Sequence, residues 1–79
     1  MVFVYILKSL KDNGFYVGIS KDIDSRLIKH NRGSVSSTSK RRPFQLIYNE
    51  SFANYSSARL REKEIKSYKG GLKFKELIK

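Results

Sequence analysis

The chain begins with two short apolar runs that flank a turn-rich segment. The runs are VFVYIL and FYVGI, and the segment between them contains Lys11-Asp12-Asn13-Gly14. An Asn-Gly pair between runs of β-branched and aromatic residues is the strongest short-range signal for a β-hairpin. The first run does not alternate between apolar and polar residues, which indicates that both of its faces are buried. We therefore expect a hairpin whose first strand is the central strand of a small sheet.

Composition limits how this chain can be stabilised. Its 79 residues include no cysteine, so neither disulfides nor a thiolate zinc site can help, and five Tyr and five Phe must supply much of the packing. We interpret residues 1–79 as a single domain. No segment approaches the roughly 20 apolar residues of a membrane span, and Lys8 interrupts the first apolar run before it can form a cleavable signal. We expect a cytoplasmic protein that does not bind membranes.

The charge of the chain points to a polyanionic partner. Seventeen Lys and Arg residues against seven Asp and Glu residues give a formal net charge of +10. A field of this size attracts polyanions and makes their binding steeply dependent on salt. Nucleic acid is the favoured partner class, and a surface that only maintains solubility, or one that meets an anionic membrane, is the alternative.

A first helix follows the hairpin. Asp22 is a good N-cap, the helix should run to about Asn31, and Gly33 should end it. Arg26 and His30 are four residues apart, so they project from the same side of the helix. The residues expected on the apolar side of this helix are Ile23, Leu27 and Ile28.

The segment GSVSSTSKRR, residues 33–42, is a polar loop that ends in three cations. It is longer than most connections between elements, so it is either mobile or functional. Pro43 ends the loop. Lys40, Arg41 and Arg42 suit contact with phosphates, or a solvated surface, and imply no base-specific contacts.

A third strand and two more helical segments complete the chain. Residues 44–52 should form the strand, with Leu46, Ile47 and Tyr48 as its core. Asn54 or Ser56 can cap a second helix that runs to about Lys69, where Gly70-Gly71 breaks it, and residues 72–79 offer a last short helical piece. The expected packed side of the second helix consists of Ala58, Ile65, Tyr68 and Leu72.

Two carboxylates, Glu62 and Glu64, lie near the edge of that apolar stripe. Helical periodicity alone does not choose between them as functional groups.

Two triplets in the hairpin resemble a known signature. Val4-Tyr5-Ile6 and Tyr16-Val17-Gly18 are similar to the paired motifs of GIY-YIG nucleases, although the first triplet lacks its glycine and the second has valine at its centre. The order of elements also resembles that family over essentially the whole chain, most closely its small standalone bacterial members. The positions that match the site of the family, in chain order, are Tyr5, Tyr16, Gly18, Arg26, His30 and Glu62.

The resemblance implies a fold and an activity. The fold is α+β, with a three-stranded antiparallel sheet, its first strand central, flanked by helices in the order β-β-α-β-α-(α). The activity is metal-dependent endonucleolytic hydrolysis of DNA, favoured over RNA, at branched, flapped or damaged sites. One Mg²⁺ or Mn²⁺ ion is expected at Glu62, which holds the position four residues after Ala58 that the family's glutamate occupies, whereas Glu64 does not fit that spacing.

The resemblance also assigns roles in phosphodiester hydrolysis. In the family one tyrosine is proposed as the general base and the other positions water or phosphate. We favour Tyr5 as base and Tyr16 as positioner, with the reverse assignment as the alternative, while His30 can share the role of base or proton shuttle. Arg26 can present its planar guanidinium to a phosphate oxygen. A metal ion, Arg26 and the positive field are expected to lower the pKa of the base below the usual value of about 10 for tyrosine. Expected nucleic-acid contacts are Gly18, Lys40, Arg41 and Arg42.

Two departures from the family keep other hypotheses open. No asparagine follows Glu62, where many active members carry one, and Ile19 stands where some members place a lysine. The first alternative is therefore a nucleic-acid-binding module of the same fold that turns over slowly or not at all. The second is an enzyme subunit that needs a partner protein for targeting.

Overall fold

The computed structural model describes residues 1–79, which form three strands and three helices around one sheet. The sheet is antiparallel with the order β2-β1-β3, so the fold class and the central position of the first strand are confirmed. None of the helices has the length and apolar character needed to cross a membrane. The elements are β1 (Val2–Ser9), β2 (Phe15–Ser20), α1 (Ile23–Arg32), β3 (Phe44–Phe52), α2 (Tyr55–Ser67) and α3 (Leu72–Leu77), with a 3₁₀ turn at Ser39–Arg41 before β3.

Strand β1 is buried on both faces because helices cover both sides of the sheet. On one face Val2, Val4 and Ile6 pack against α2 and α3 through Ala58, Ile65 and Phe74. On the other face Tyr5, Leu7 and Phe44 pack against Ile23 and Leu27 of α1. Full burial of an aliphatic side chain contributes about 1.5–3 kcal/mol, so this strand is the main source of core stability.

The hairpin turn differs from the two-residue turn that Asn-Gly usually forms. The connection spans residues 10–14, and Asn13 adopts the left-handed conformation with φ 61°. Ser9 holds the loop closed, because its amide donates to the Gly14 carbonyl at 2.8 Å and its carbonyl accepts from the Asn13 amide at 3.0 Å. Asp12 also accepts a hydrogen bond from the Gly14 amide at 2.7 Å.

Strand β3 contains a β-bulge opposite β1. Ile6 pairs with Tyr48 and Leu7 pairs with Leu46, which leaves Ile47 as the extra residue. The bulge allows Ile47 and Tyr48 to pack on the α2 side while Leu46 packs on the α1 side. The three residues predicted as the core of this strand are therefore half-buried, and Phe44 is its fully buried residue.

The ends of α1 follow the predicted signals. Asp22 caps α1 by accepting a hydrogen bond from the Ser25 amide, and Gly33 ends it with φ 84°. Ile28 was expected on the apolar side, but it is 54% exposed because the sheet contacts Ile23 and Leu27 instead.

The end of α2 differs from the prediction. Asn54, rather than Ser56, caps α2, which ends at Ser67 instead of about Lys69. Leu72 was predicted on the packed side of α2, and this is wrong: it is 74% exposed. The chain reverses through left-handed residues at Lys69 and Gly70, so Phe74 of α3 fills the core instead.

Candidate active site

The hairpin brings Tyr5 and Gly18 side by side across the two strands. They are direct partners in the register of β1 and β2. A Cβ atom at Gly18 would lie 2.5 Å from the Tyr5 hydroxyl oxygen and 3.0 Å from the ring of Tyr16. Only glycine leaves room for that hydroxyl at this place, so Gly18 shapes the surroundings of Tyr5.

Tyr16 lies next to Tyr5 on the face of the sheet that α1 covers. Their ring centroids are 6.3 Å apart, and the Tyr16 ring lies 4.8 Å from the ring of His30. Tyr16 is half-buried, and its hydroxyl makes no hydrogen bond within the protein. That hydroxyl is therefore free to bind a ligand.

His30 is completely buried under the sheet, and it is hydrogen bonded through both ring nitrogens. Its Nε2 lies 3.1 Å from the Tyr5 hydroxyl oxygen. Its Nδ1 lies 2.8 Å from Oγ1 of Thr38. A buried polar side chain needs such partners, and here they link β1, α1 and the following loop.

Burial decides the protonation state of this pair. Burial raises the pKa of Tyr5, and the nearby Arg26 guanidinium only partly offsets that effect. Burial lowers the pKa of His30, and the positive charge of Arg26 lowers it further. The chain alone therefore does not produce the expected fall in the Tyr5 pKa. The resting site holds a neutral phenol against a neutral imidazole.

Arg26 lies one turn before His30 and borders an open groove. The groove has a volume of about 480 Å³ and lies between the start of α1 and the start of α2. Lys21 and Tyr55 meet within it, with the Lys21 ammonium 5.6 Å from the centre of the Tyr55 ring. The polar and aromatic residues that line the groove are Ser20, Lys21, Asp22, Ser25, Arg26, Lys29 and Tyr55.

The structure distinguishes Glu62 from Glu64, which helical periodicity alone could not do. Glu62 follows the buried Ala58 by one turn, is 22% exposed at its side chain and lies 3.2 Å from the Lys66 ammonium. Its charge reaches the site, where it raises the pKa of Tyr5. Glu64 turns away from the site and binds Arg61 at 2.8 Å and Tyr68 at 3.1 Å.

No three side chains of the types that bind metals are grouped together in the protein. A divalent ion at this site would therefore find few ligands in the protein, and Glu62 is the carboxylate predicted to hold it. A single hard oxygen ligand suits Mg²⁺, which keeps several waters and completes its shell with substrate oxygens. The residues present fit such an ion.

Two of the three cations before Pro43 have structural partners. Arg41 pairs with Asp12 at 2.8 Å and lies over the ring of Phe44. Arg42 donates to the Arg32 carbonyl at 2.8 Å. The side chain of Lys40 is exposed and forms no ion pair. Phosphate binding by Lys40, Arg41 and Arg42 stays a prediction.

Sequence reasoning did not single out Thr38, which is completely buried against His30. It lies in a loop rich in serine, where no periodicity distinguishes one hydroxyl from another. Its spacing of eight residues from His30 could not reveal the contact, because the path of the loop decides it. Lys21, Lys29 and Tyr55 were also missed, because they lie far apart in the sequence and only the fold places them around one groove.

The protein is thus a small α+β domain whose antiparallel sheet presents two tyrosines beneath a helix that carries Arg26. The family model for the GIY-YIG catalytic domain matches residues 1–74, and the chain belongs to the GIY-YIG family. Membership implies a nuclease-type function, in a family that generally depends on a metal ion.

Known relatives are also small proteins of this type. A UPF0213 protein of Staphylococcus saprophyticus is 46% identical over 74 residues, which cover 92% of this chain and 89% of that protein. A UPF0213 protein of Staphylococcus epidermidis is 46% identical over 67 residues, with coverage of 84% and 80%. The solution NMR structure of a UPF0213 protein from Bacillus halodurans is 35% identical and has a TM-score of 0.54, with coverage of 96% of this chain and 80% of that chain.

Proposed function

We propose that residues 1–79 act as one domain that cleaves phosphodiester bonds of DNA in a metal-dependent reaction, in the cytoplasm, at branched, flapped or damaged sites. The observation that carries this proposal is the contact between the buried Tyr5 hydroxyl and the neutral imidazole of His30 at 3.1 Å. A phenol that has a neutral base directly behind it is suited to move a proton during hydrolysis. Any buried tyrosine hydroxyl needs a hydrogen-bond partner, so the support comes from the kind of partner, a neutral imidazole that can take the proton.

The groove beside Arg26 supports a phosphodiester as the substrate. The Arg26 guanidinium can make two parallel hydrogen bonds to a phosphate, while Lys21 and Lys29 supply point charges. Tyr55, which is 44% exposed, offers a ring face on which an unstacked base could lie. An accessible aromatic ring among cations is typical of surfaces that bind single-stranded or distorted nucleic acid.

The proton would travel in two linked transfers. The attacking water gives a proton to the Tyr5 oxygen while the Tyr5 hydroxyl gives its own proton to His30 Nε2. The oxygen of the water forms its bond to phosphorus as the bond from phosphorus to the leaving oxygen of the nucleic acid breaks, and a proton from solvent neutralises that leaving oxygen. Tyr5 stays neutral and His30 becomes an imidazolium. Because no free phenolate forms, the raised pKa of Tyr5 does not block this route. Tyr16, whose hydroxyl has no partner in the protein, would orient the water or a phosphate oxygen.

Glu62 would hold the divalent ion, and Mg²⁺ or Mn²⁺ suits its carboxylate. Such an ion would neutralise charge on the phosphoryl oxygens. Lys66 would have to release Glu62 or share it, since the two side chains are paired at 3.2 Å. Gly18 would allow the phosphate to approach Tyr5, and Lys40 with Arg41 and Arg42 would extend the contacts to the backbone of the nucleic acid.

The test is a cleavage assay on single-stranded, duplex, flap and junction DNA and on matched RNA, with Mg²⁺ or Mn²⁺ and with EDTA. We expect cleavage of at least one DNA substrate, and its loss in EDTA. Glu62→Gln should lower the rate by about 10²-fold or more, because it removes the carboxylate that would hold the ion. The matched control is Glu64→Gln, which should retain activity, since Glu64 faces Arg61. Equal loss in both variants would remove Glu62 from the mechanism.

The pairing of Glu62 with Lys66 favours one alternative, a binding module of the same fold without turnover. That function predicts tight, salt-dependent binding of DNA by the wild type with no cleavage of any substrate. It also predicts that Glu62→Gln changes the affinity only slightly. A partner protein that restores cleavage would instead support a subunit that needs targeting.

A further inference from the structure

Behind Tyr5, the hydrogen bonds continue past His30 to the loop that follows α1. The chain of contacts runs from Tyr5 to His30 Nε2 at 3.1 Å, and from His30 Nδ1 to Thr38 Oγ1 at 2.8 Å. The Thr38 hydroxyl in turn donates a hydrogen bond to the carbonyl oxygen of Val35, at 3.3 Å. Tyr5, His30 and Thr38 are each at most 1% exposed, so water does not compete for these bonds. We call these three residues the relay.

The direction of the bonds in the relay follows from counting protons. A neutral imidazole carries one N–H group and one acceptor nitrogen. If Thr38 donates to Val35, it must accept from Nδ1–H, and Nε2 then accepts the Tyr5 proton. In the reverse arrangement Nε2–H donates to Tyr5, and the Tyr5 proton has no other acceptor in the protein. A buried hydroxyl proton without an acceptor is costly, so the first arrangement is favoured.

We propose that Thr38 holds the neutral His30 ring in its Nδ1–H tautomer, which leaves Nε2 to receive the proton of Tyr5. This makes Thr38 a positioning residue, and its part in the reaction rests on the proposed function. A group behind a histidine that fixes its tautomer is a general device for orienting catalytic and ligating imidazoles. Here a neutral hydroxyl takes that place, which adds no negative charge beside Tyr5.

The tautomer can be measured without any substrate. His30 is the only histidine in the chain, so labelling histidine with ¹⁵N gives one pair of ring signals, and protonated and unprotonated nitrogens are well separated in shift. At neutral pH we expect a protonated Nδ1 and an unprotonated Nε2 in the wild type and in Thr38→Ser. Thr38→Val keeps the shape of the side chain and removes the acceptor, so the ring should move toward the Nε2–H form. Amide spectra show whether each variant is folded, and Thr38→Ala replaces Thr38→Val if valine disturbs the loop.

Two results of this measurement would overturn the proposal: an Nε2–H tautomer in the wild type, or an unchanged tautomer once the hydroxyl is gone.

In the cleavage assay, Thr38→Val should lower kcat by about 10- to 100-fold with little change in KM, the range for groups that orient a histidine from behind. Thr38→Ser should stay within a few-fold of the wild type. If the kcat of Thr38→Val equals that of the wild type, Thr38 does not position His30 for the reaction. If the wild type cleaves nothing, the proposed function fails, while the NMR result still decides the tautomer.

Discussion

Two clusters of polar side chains, each containing tyrosine, lie on opposite faces of the sheet and differ in charge. The relay of Tyr5, His30 and Thr38 lies between β1 and α1 and has no formal charge at rest. The second cluster, which we call the ion-pair network, lies between β3 and α2 and consists of Tyr48, Glu50, Arg61, Glu64 and Tyr68.

In the ion-pair network every charged group already contacts a group of opposite charge. Arg61 binds Glu50 at 2.9 Å and Glu64 at 2.8 Å, while the hydroxyl of Tyr48 donates to Glu50. Burial acts to raise the pKa of Glu50, but the hydrogen bonds from Arg61 and Tyr48 outweigh it, so that pKa lies below its usual value. The network therefore ties α2 to β3 and leaves no group in it free for a substrate.

The relay differs because Tyr5, although it is buried, adjoins side chains that have no ion-pair partner. Tyr5 lies beside Gly18, Arg26 and Tyr16, whose hydroxyl has no partner, and its own hydroxyl donates a hydrogen bond to a neutral base. A proton can leave Tyr5 toward His30, whereas Tyr48 can only donate to a carboxylate that Arg61 keeps ionised. The comparison shows that the partners of a tyrosine, rather than its burial, distinguish the candidate catalytic residue from the structural one.

The largest expected difference between the clusters comes from removing one hydroxyl from each. Tyr5→Phe should lower the cleavage rate by about 10²- to 10⁴-fold, the usual contribution of a positioned acid or base. Tyr48→Phe should retain activity and lower the free energy of unfolding by about 1 kcal/mol, since it removes one hydrogen bond to Glu50. Cleavage rates and urea unfolding midpoints of both variants test these two expectations. Comparable rate losses in the two would end the distinction between the clusters.

The second difference concerns stability. Arg61→Met should lower the free energy of unfolding at pH 7 by about 1–3 kcal/mol, because it leaves Glu50 half-buried without its cation. The loss should be below that of a fully buried pair, since the two side chains are 22% and 24% exposed. The cleavage rate should hardly change, because Arg61 does not touch the relay. A rate loss as large as that of Tyr5→Phe would show that the two clusters are coupled.

The pH dependence of that variant follows from the lowered pKa values of Glu50 and Glu64. A carboxylate whose pKa is lower in the folded state contributes stability above its unfolded pKa, about 4.3, and this stability is lost as the pH falls through the folded pKa. The difference in stability between wild type and Arg61→Met should therefore shrink as the pH falls from 5 toward 2. Urea unfolding at several pH values measures it. A difference that stays constant down to low pH would show that Arg61 acts through packing alone.

Much of the fold was predictable because local signals agreed with tertiary packing. The unbroken apolar run of β1 indicated burial on both faces, and Asp22 and Gly33 mark the ends of α1 as predicted. The errors fall where the chain reverses. Leu72 continued the helical pattern of α2, but the left-handed residues before it start a new helix, and the pattern alone cannot show that.

The candidate site was predictable only where a motif carried it. Tyr5, Tyr16, Arg26, His30 and Glu62 came from a resemblance, and their roles remain predictions. Thr38 and the groove around Tyr55 depend on the path of a loop and on the approach of α2 to α1, which no local pattern encodes. The pKa of Tyr5 also depends on burial, which the sequence does not show. Burial raises this pKa, whereas the positive field alone would have lowered it.

The smallest expected effect concerns surface charge near each cluster. Lys29 borders the groove beside the relay, whereas Lys63 lies on α2 near the ion-pair network, and both are exposed and free of ion pairs. Each phosphate contact contributes about 0.9 to the slope of log affinity against log salt concentration. Lys29→Ala should therefore reduce the slope for DNA binding by about one, while Lys63→Ala should leave it unchanged. Fluorescence anisotropy over a salt series measures both slopes. Equal reductions would mean that nucleic acid follows the overall charge of +10 and does not prefer the face of the relay.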